Sequence, residues 1–175
     1  MAGFIIAFAT IQLLEAGIWV SITDDNRSMN DLMTRLIPIA LLAQPLIQTY
    51  MGYRYTGNTF LKLFSFVLLG IFIYAWYRIG VSKPGQYHSV VGSQGHLVWK
   101  NEGSSTGVLG GKWIILLYLL GIFAPLLFME NGKGIALLTV GVITALYSLS
   151  MTRSEEFSSY WCFTAVAFSI IALFI

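Results

Sequence analysis

Charge is what this sequence has least of. Only 10% of its 175 residues are Asp, Glu, Lys or Arg, and 57% are hydrophobic, whereas about a quarter of the residues in a soluble domain are charged. Such long uncharged runs are typical of a membrane protein and exclude an ordinary soluble domain. The net charge of +2 is small and the basic residues are scattered, so the charge pattern gives no indication of nucleic-acid binding.

Cysteine and catalytic motifs are also scarce. The single cysteine, Cys162, has no partner within the chain, which excludes an intrachain disulfide framework, and its apolar surroundings are typical of a small buried hydrophobe. The sequence has no Gly-rich phosphate loop, no nucleophile elbow and no histidine box. Enzymatic activity is therefore not favoured, and we expect neither a cofactor nor a metal.

The beginning of the chain lacks basic residues. No Lys or Arg precedes Arg27, whereas a cleaved signal peptide starts with a positively charged region. The apolar run that opens the chain is also long and contains an acid, Glu15. We therefore predict that this run is kept as the first membrane span.

Six apolar segments are present, and each can cross a hydrocarbon core of about 30 Å, which needs about 20 helical residues. The predicted spans are 2–22, 32–51, 59–79, 113–129, 134–150 and 157–175. A longer polar stretch, 80–112, separates the third span from the fourth. The prediction is an all-α membrane protein with one polytopic domain over 1–175, a bundle of six transmembrane helices with one extramembrane loop.

The 80–112 loop contains an indication of β structure. Two short stretches, 86–91 and 96–100, flank a turn with two glycines, a pattern typical of a β-hairpin. An isolated hairpin is marginally stable, so it should pack on the helices or on a partner. The spacing of His88 and His96 fits no metal-ligand motif, and we predict that both belong with Trp99 to an interaction loop.

The distribution of Lys and Arg predicts the orientation. The surface with the first, third and fifth connections carries seven basic residues, and the opposite surface carries three. The cytoplasmic side of a membrane protein is normally the more basic one. We therefore expect a cytoplasmic 80–112 loop and both termini outside or in a lumen.

Glu15 is the only acid within the predicted spans, and Gln12 lies on the same helical face. A carboxylate at membrane depth costs about 2.5–3.5 kcal/mol on insertion scales and usually faces a protein interior or a wet cavity. Gln44 and Gln48 share a face of the second helix. If the first two helices are neighbours, these four residues could bind a proton, a small cation or a polar ligand. In the alternative, a protonated Glu15 bonds to a glutamine and only holds helices together.

Three short motifs carry a resemblance. They are Gln12-Leu13-Leu14-Glu15 followed by Trp19, Gln44-Pro45, and Gly95-His96-Leu97-Val98-Trp99. Together they resemble a family of multi-span membrane proteins encoded by large nucleocytoplasmic DNA viruses, over most of the chain. The resemblance implies a host-derived or virion inner membrane as the location. It marks Gln12, Glu15, Gln44, His96 and Trp99 as positions of interest and implies no catalytic role for them.

Two functions from different classes fit these observations. The leading hypothesis is a small transporter- or channel-like protein in which the polar cluster around Glu15 handles a proton, a cation or a small polar ligand. The alternative is a structural or interaction protein of a virion or a larger membrane complex, with the 80–112 loop as its contact surface. Lipid is the expected surrounding in both cases, and either function allows a homo-oligomer or a protein complex.

Overall fold

The computed structural model describes residues 2–101, 112–129, 132–153 and 156–171. These residues form six helices and one two-stranded antiparallel hairpin between the third and fourth helices. The elements are α1 Ala2–Thr23, α2 Arg27–Thr56, α3 Thr59–Gly80, β1 Tyr87–Val91, β2 Leu97–Asn101, α4 Lys112–Leu127, α5 Lys133–Met151 and α6 Phe157–Ile171. The predicted fold class, a six-helix bundle with a hairpin in the central loop, is confirmed.

The longest helix, α2, extends beyond the predicted second span at both ends. It begins after Asn26, whose side chain accepts a hydrogen bond from the backbone N–H of Met29 at 3.0 Å, as a helix N-cap does. It ends at Thr56, and the next residue, Gly57, adopts a left-handed conformation with φ of 70° and so provides the usual glycine C-cap. The additional first turn of α2 carries residues that hold the hairpin, as described below.

Three of the described helices, α2, α3 and α5, are long and apolar enough to cross a membrane. Shorter apolar helical segments occur at Ala9–Thr23 and Leu116–Leu127. The helix α3 exposes a row of large apolar side chains that includes Leu63, Phe66 and Ile73, and such a surface fits lipid contact. The chain is an integral membrane protein with several helical spans.

The helix α2 is the central element of the bundle. It packs against α1, α3, α4 and strand β1, while α5 lies between α4 and α6, and α6 packs back against α1. These contacts join the described helices and the hairpin into one bundle. The hairpin sits at the end where α1 finishes and where α2 and α6 begin.

The contact between α2 and α4 is built from two reciprocal glycine–proline pairs. Gly121 of α4 faces Pro45 of α2, and Gly52 of α2 faces Pro125 of α4, with no room for a side chain on either glycine. Pro125 cannot donate to the carbonyl of Gly121 four residues earlier, and the hydroxyl of Thr49 donates to that carbonyl at 3.0 Å instead. The two proline-containing helices therefore approach closely, and a polar group freed by proline is satisfied across the contact.

We expect Gly121→Ala to destabilise the protein by about 1–3 kcal/mol, the usual effect of inserting a group into a packed core. A methyl group at this position would lie 2.5 Å from Cβ of Pro45 and 3.1 Å from a methyl carbon of Leu68. The measurement is thermal unfolding of the purified protein in detergent. The matched control is Gly70→Ala in α3, where a methyl group meets no atom within 4 Å, and equal melting temperatures for the two variants would contradict the packing described.

Candidate functional site

The base of the hairpin is held by the first turn of α2. The side chain of Asn30 accepts a hydrogen bond from the backbone N–H of Ser89 at 2.8 Å and donates to the Ser89 carbonyl at 3.2 Å. Asp31 accepts from the backbone N–H groups of Gly85 at 2.9 Å and Tyr87 at 3.1 Å. Asn30 thus pairs with β1 as a neighbouring strand would, which satisfies backbone groups at the edge of the hairpin.

Arg35, one turn after Asp31, connects α2 to the end of α3. Its guanidinium forms a salt bridge with Asp31 at 2.8 Å. It also donates to the backbone carbonyls of Ile79 at 3.3 Å, Ser82 at 3.2 Å and Lys83 at 3.1 Å. The last carbonyls of a helix lack partners within the helix and carry partial negative charge, so Arg35 both caps α3 and fixes the chain that leads into β1.

The tip of the hairpin is held from the opposite side by Glu156, directly before α6. Its carboxylate accepts hydrogen bonds from the backbone N–H groups of His96 at 3.0 Å and Gln94 at 3.2 Å, and from the hydroxyl of Ser93 at 3.3 Å. The side-chain oxygen of Gln94 in turn accepts from the backbone N–H of Arg153 at 2.8 Å. The turn of the hairpin is therefore fastened to the connection between α5 and α6.

The surroundings of Glu156 favour its ionised form. Burial of the carboxylate opposes ionisation, but the N–H groups of His96 and Gln94 and the hydroxyl of Ser93 outweigh that effect, so the pKa of Glu156 lies below its ordinary value. Hydrogen bonds to an ionised acceptor are stronger than those between neutral groups. The negative charge of Glu156 therefore contributes to the attachment of the hairpin.

One face of the hairpin packs on the helices. Leu97 lies in the same buried apolar cluster as Ile11 and Ile18 of α1 and Ile37 of α2, and Trp99 packs against this cluster. The cross-strand pair of His88 and Lys100 alternates with these inward positions and lies on the other face. Trp99 is thus used within the chain, and the interaction of this loop with a partner stays a prediction.

The two histidines lie at opposite ends of the hairpin. His88 is paired with Lys100 near the base, while His96 lies beside Gly92 at the turn. The strand rise places them roughly 13 Å apart along the ladder. His96 also contacts the ring of Tyr160 in α6, with ring centroids 4.6 Å apart. No group of three or more His, Cys, Asp or Glu side chains able to hold a metal ion occurs among the described residues.

Glu15 of α1 lies close to the hairpin turn and to α6, and its side chain is only 6% exposed. Its Oε2 accepts a hydrogen bond from the side chain of Gln12 at 3.2 Å. The indole of Trp99 and the hydroxyl of Ser159 also approach the carboxyl group. Nevertheless, within the described part of the chain, Glu15 Oε1 and Trp99 Nε1 are buried without a hydrogen bond of standard geometry.

A cavity of about 350 Å³ adjoins Glu15. Helix α1 contributes Glu15, Gln12 and Trp19 to its wall, and the other lining residues come from the hairpin turn and from α6: Gly95, His96, Leu97, Ser159 and Phe163, with Ala16 of α1 between them. The turn of the hairpin thus extends past the end of α1 into the bundle and brings His96 to the same cavity as Glu15. Most of the lining is apolar or aromatic, with the polar side chains of Glu15, Gln12, His96 and Ser159 set among it. A carboxyl group that lies in a membrane span beside a cavity is a candidate functional group.

The four predicted ligand residues occupy two separate places. Gly17 of α1 lies opposite Met33 of α2, so Glu15 is level with about residue 35, and the helical rise puts Gln44 roughly 13 Å deeper in the bundle. Gln44 is buried and its side-chain oxygen accepts a hydrogen bond from the hydroxyl of Tyr118 in α4. Gln48 is half-buried one turn further along α2. A binding role for each of the four residues stays a prediction.

Several residues of this region could not be singled out from the sequence. Asn30, Asp31 and Glu156 lie in connections that look like ordinary polar loops, and Ser159 looks like a tolerated serine of a spanning helix. The sequence signal that could have indicated the buried role of Asn30 and Asp31 is the run of polar residues directly before the second apolar segment. Such residues must find partners if they are buried, and these side chains are indeed buried or half-buried in the structure.

The chain matches no family model, no curated protein and no solved structure. The resemblance to viral multi-span membrane proteins therefore stays a prediction.

We expect Glu156→Ala to release the tip of the hairpin while the helices stay folded. Loss of hydrogen bonds to a charged acceptor should speed hydrogen exchange at the Gln94 and His96 amides by about tenfold or more, as followed by mass spectrometry. Asp24→Asn removes an acid from the same membrane side and serves as the control, because Asp24 is exposed and lies outside the hydrogen bonds of the turn.

The same attachment should weaken in acid. Because the pKa of Glu156 is lowered in the folded protein, the docked hairpin binds fewer protons than the released one, and its stability falls as the pH drops through this lowered pKa. Above the ordinary glutamate value the contribution is complete. For both predictions the measured quantity is the protection of the Gln94 and His96 amides from hydrogen exchange. Unchanged protection in Glu156→Ala, or an equal loss of protection in Asp24→Asn, would contradict the attachment of the hairpin by Glu156.

Proposed function

We propose that this protein is a small transporter- or channel-like membrane protein in which Glu15 handles a proton, a cation or a small polar ligand. The observation that carries the proposal is the position of Glu15 in the wall of a cavity, with one carboxylate oxygen buried and unpartnered among the described residues. A carboxyl group in this position is costly to keep. A role in binding gives a reason for its presence.

The geometry favours this role over a purely structural one. A carboxyl group that only holds helices together should form its hydrogen bonds between different helices. The standard hydrogen bond that Glu15 makes is to Gln12, three positions earlier in the same helix. Ser159 of α6 approaches the carboxyl group but leaves Glu15 Oε1 without a standard hydrogen bond among the described residues. The contact of Gln44 with Tyr118 joins α2 to α4, and it shows what an interhelical polar bond looks like in this bundle.

The surroundings of the cavity suggest an approach from the hairpin side. His96 and Gly95 of the turn line the cavity, and Glu156 holds that turn in place. We propose that all six helices cross the membrane, with the hairpin on the cytoplasmic side. An oligomer is compatible with this arrangement, since six helices of this size enclose only a narrow path.

The test is a flux assay with the full-length protein in liposomes, using a pH-sensitive dye for protons and ion-sensitive dyes for Na⁺ and K⁺. We expect Glu15→Gln to reduce the flux of the transported ion at least tenfold, because it removes the ionisable group and preserves the shape of the side chain. Asp24→Asn, at the same membrane surface, should transport normally.

Size-exclusion chromatography and circular dichroism of both variants establish that they are folded. Unchanged flux in a folded Glu15→Gln variant would contradict the proposal.

A further inference from the structure

The cavity at Glu15 is aromatic on more than one side. Trp19, four positions after Glu15 in α1, and Phe163 in α6 both line it and are partly exposed at its rim. His96 lines it as well and contacts Tyr160 with the two rings tilted, at 4.6 Å between ring centroids. The faces of aromatic rings, of tryptophan above all, attract cations, and quaternary ammonium groups are commonly recognised in this way.

The cavity has an acid but no basic partner for it. The lining includes Glu15 and, among the described residues, no Lys or Arg. A buried carboxylate needs a positive partner or several hydrogen bonds to remain ionised, and Glu15 has one standard hydrogen bond, to Gln12. A bound cation would supply the missing positive charge.

The ligand set does not suit a divalent metal ion. Calcium takes about six to eight oxygen ligands, and magnesium demands near-ideal octahedral oxygen geometry. The oxygen-bearing side chains that line this cavity are those of Glu15, Gln12 and Ser159. With one carboxylate and aromatic walls, the chemistry of the cavity fits an organic cation better than a metal.

The size of the cavity supports the same conclusion. Its volume is about 350 Å³, at the lower end of the range of about 300–1,000 Å³ for small-molecule pockets. We propose that the cavity binds a small organic ammonium ion, with Glu15 as its counter-charge and Trp19 as its aromatic contact. This inference rests on the proposed function and specifies the ligand class of the same site.

The experiment is isothermal titration calorimetry of choline into the full-length protein in maltoside micelles, which contain no ammonium group. We expect choline to bind, and the isostere in which carbon replaces the quaternary nitrogen to bind at least tenfold more weakly. Sodium chloride at the same ionic strength should give no binding heat.

Two variants test the contacts separately. Glu15→Gln should weaken choline binding at least tenfold and Trp19→Leu several-fold. The matched control is Trp113→Leu, because Trp113 is an exposed tryptophan on the same side of the membrane and does not line the cavity. If Glu15→Gln fails to fold, the difference in choline affinity between Trp19→Leu and Trp113→Leu still tests the inference.

The ammonium group could belong to a free solute or to a lipid headgroup, and phosphatidylcholine added to the same micelles separates these sources. Displacement of choline by the lipid identifies a headgroup site, and retention of choline identifies a solute site; both support the ammonium chemistry. Equal binding of choline and its carbon isostere, or equal choline binding by Trp19→Leu and Trp113→Leu, would overturn the inference. Proton or Na⁺ flux that depends on Glu15, without choline binding, would also overturn it and would leave the proposed function intact.

Discussion

The attachment of the hairpin by the side chains of Asn30, Asp31 and Glu156 is the interaction on which the rest of this structure depends. A two-stranded hairpin has unpaired backbone groups along both edges, and it cannot lie against apolar helices unless those groups find partners. Asn30 and Asp31 supply partners at its base, and Glu156 supplies them at its turn. With both ends held, Leu97 and Trp99 pack in and against the apolar core between the helices, and the turn lines the cavity at Glu15.

The polar residues of the spans fall into two groups by what they do. Thr49 donates to a carbonyl that proline leaves free, and Gln44 bonds to Tyr118 of a neighbouring helix. Such bonds join helices and satisfy groups that lipid cannot. Glu15 differs from both, because its standard hydrogen bond stays within its own helix and it adjoins a cavity. This difference separates a candidate site from ordinary helix packing.

Much of the fold could be predicted from the sequence. The long apolar runs indicate the helices, and the glycines at 92 and 95 indicate the hairpin turn, because both signals are local. Asn30 is buried and Asp31 half-buried in the structure, but nothing local in the sequence indicates which segment they contact. The partner of Asn30, Ser89, lies 59 residues away, and single-sequence patterns do not encode which distant segments meet. For the same reason the prediction grouped Gln44 with Glu15 by residue type, although their depths in the bundle differ.

In the proposed function, Glu15 occupies a wet and accessible site. Infrared difference spectroscopy of the membrane-embedded protein tests it most directly, by following the carboxyl stretch across external pH, with Glu15→Gln to assign the band. We expect the Glu15 band to change with external pH and with added cation. The rate of this change should depend on how fast protons and cations reach Glu15 from the hairpin side. A carboxyl group that stays protonated and unresponsive under all these conditions would contradict the proposed function and would make Glu15 a structural link between helices.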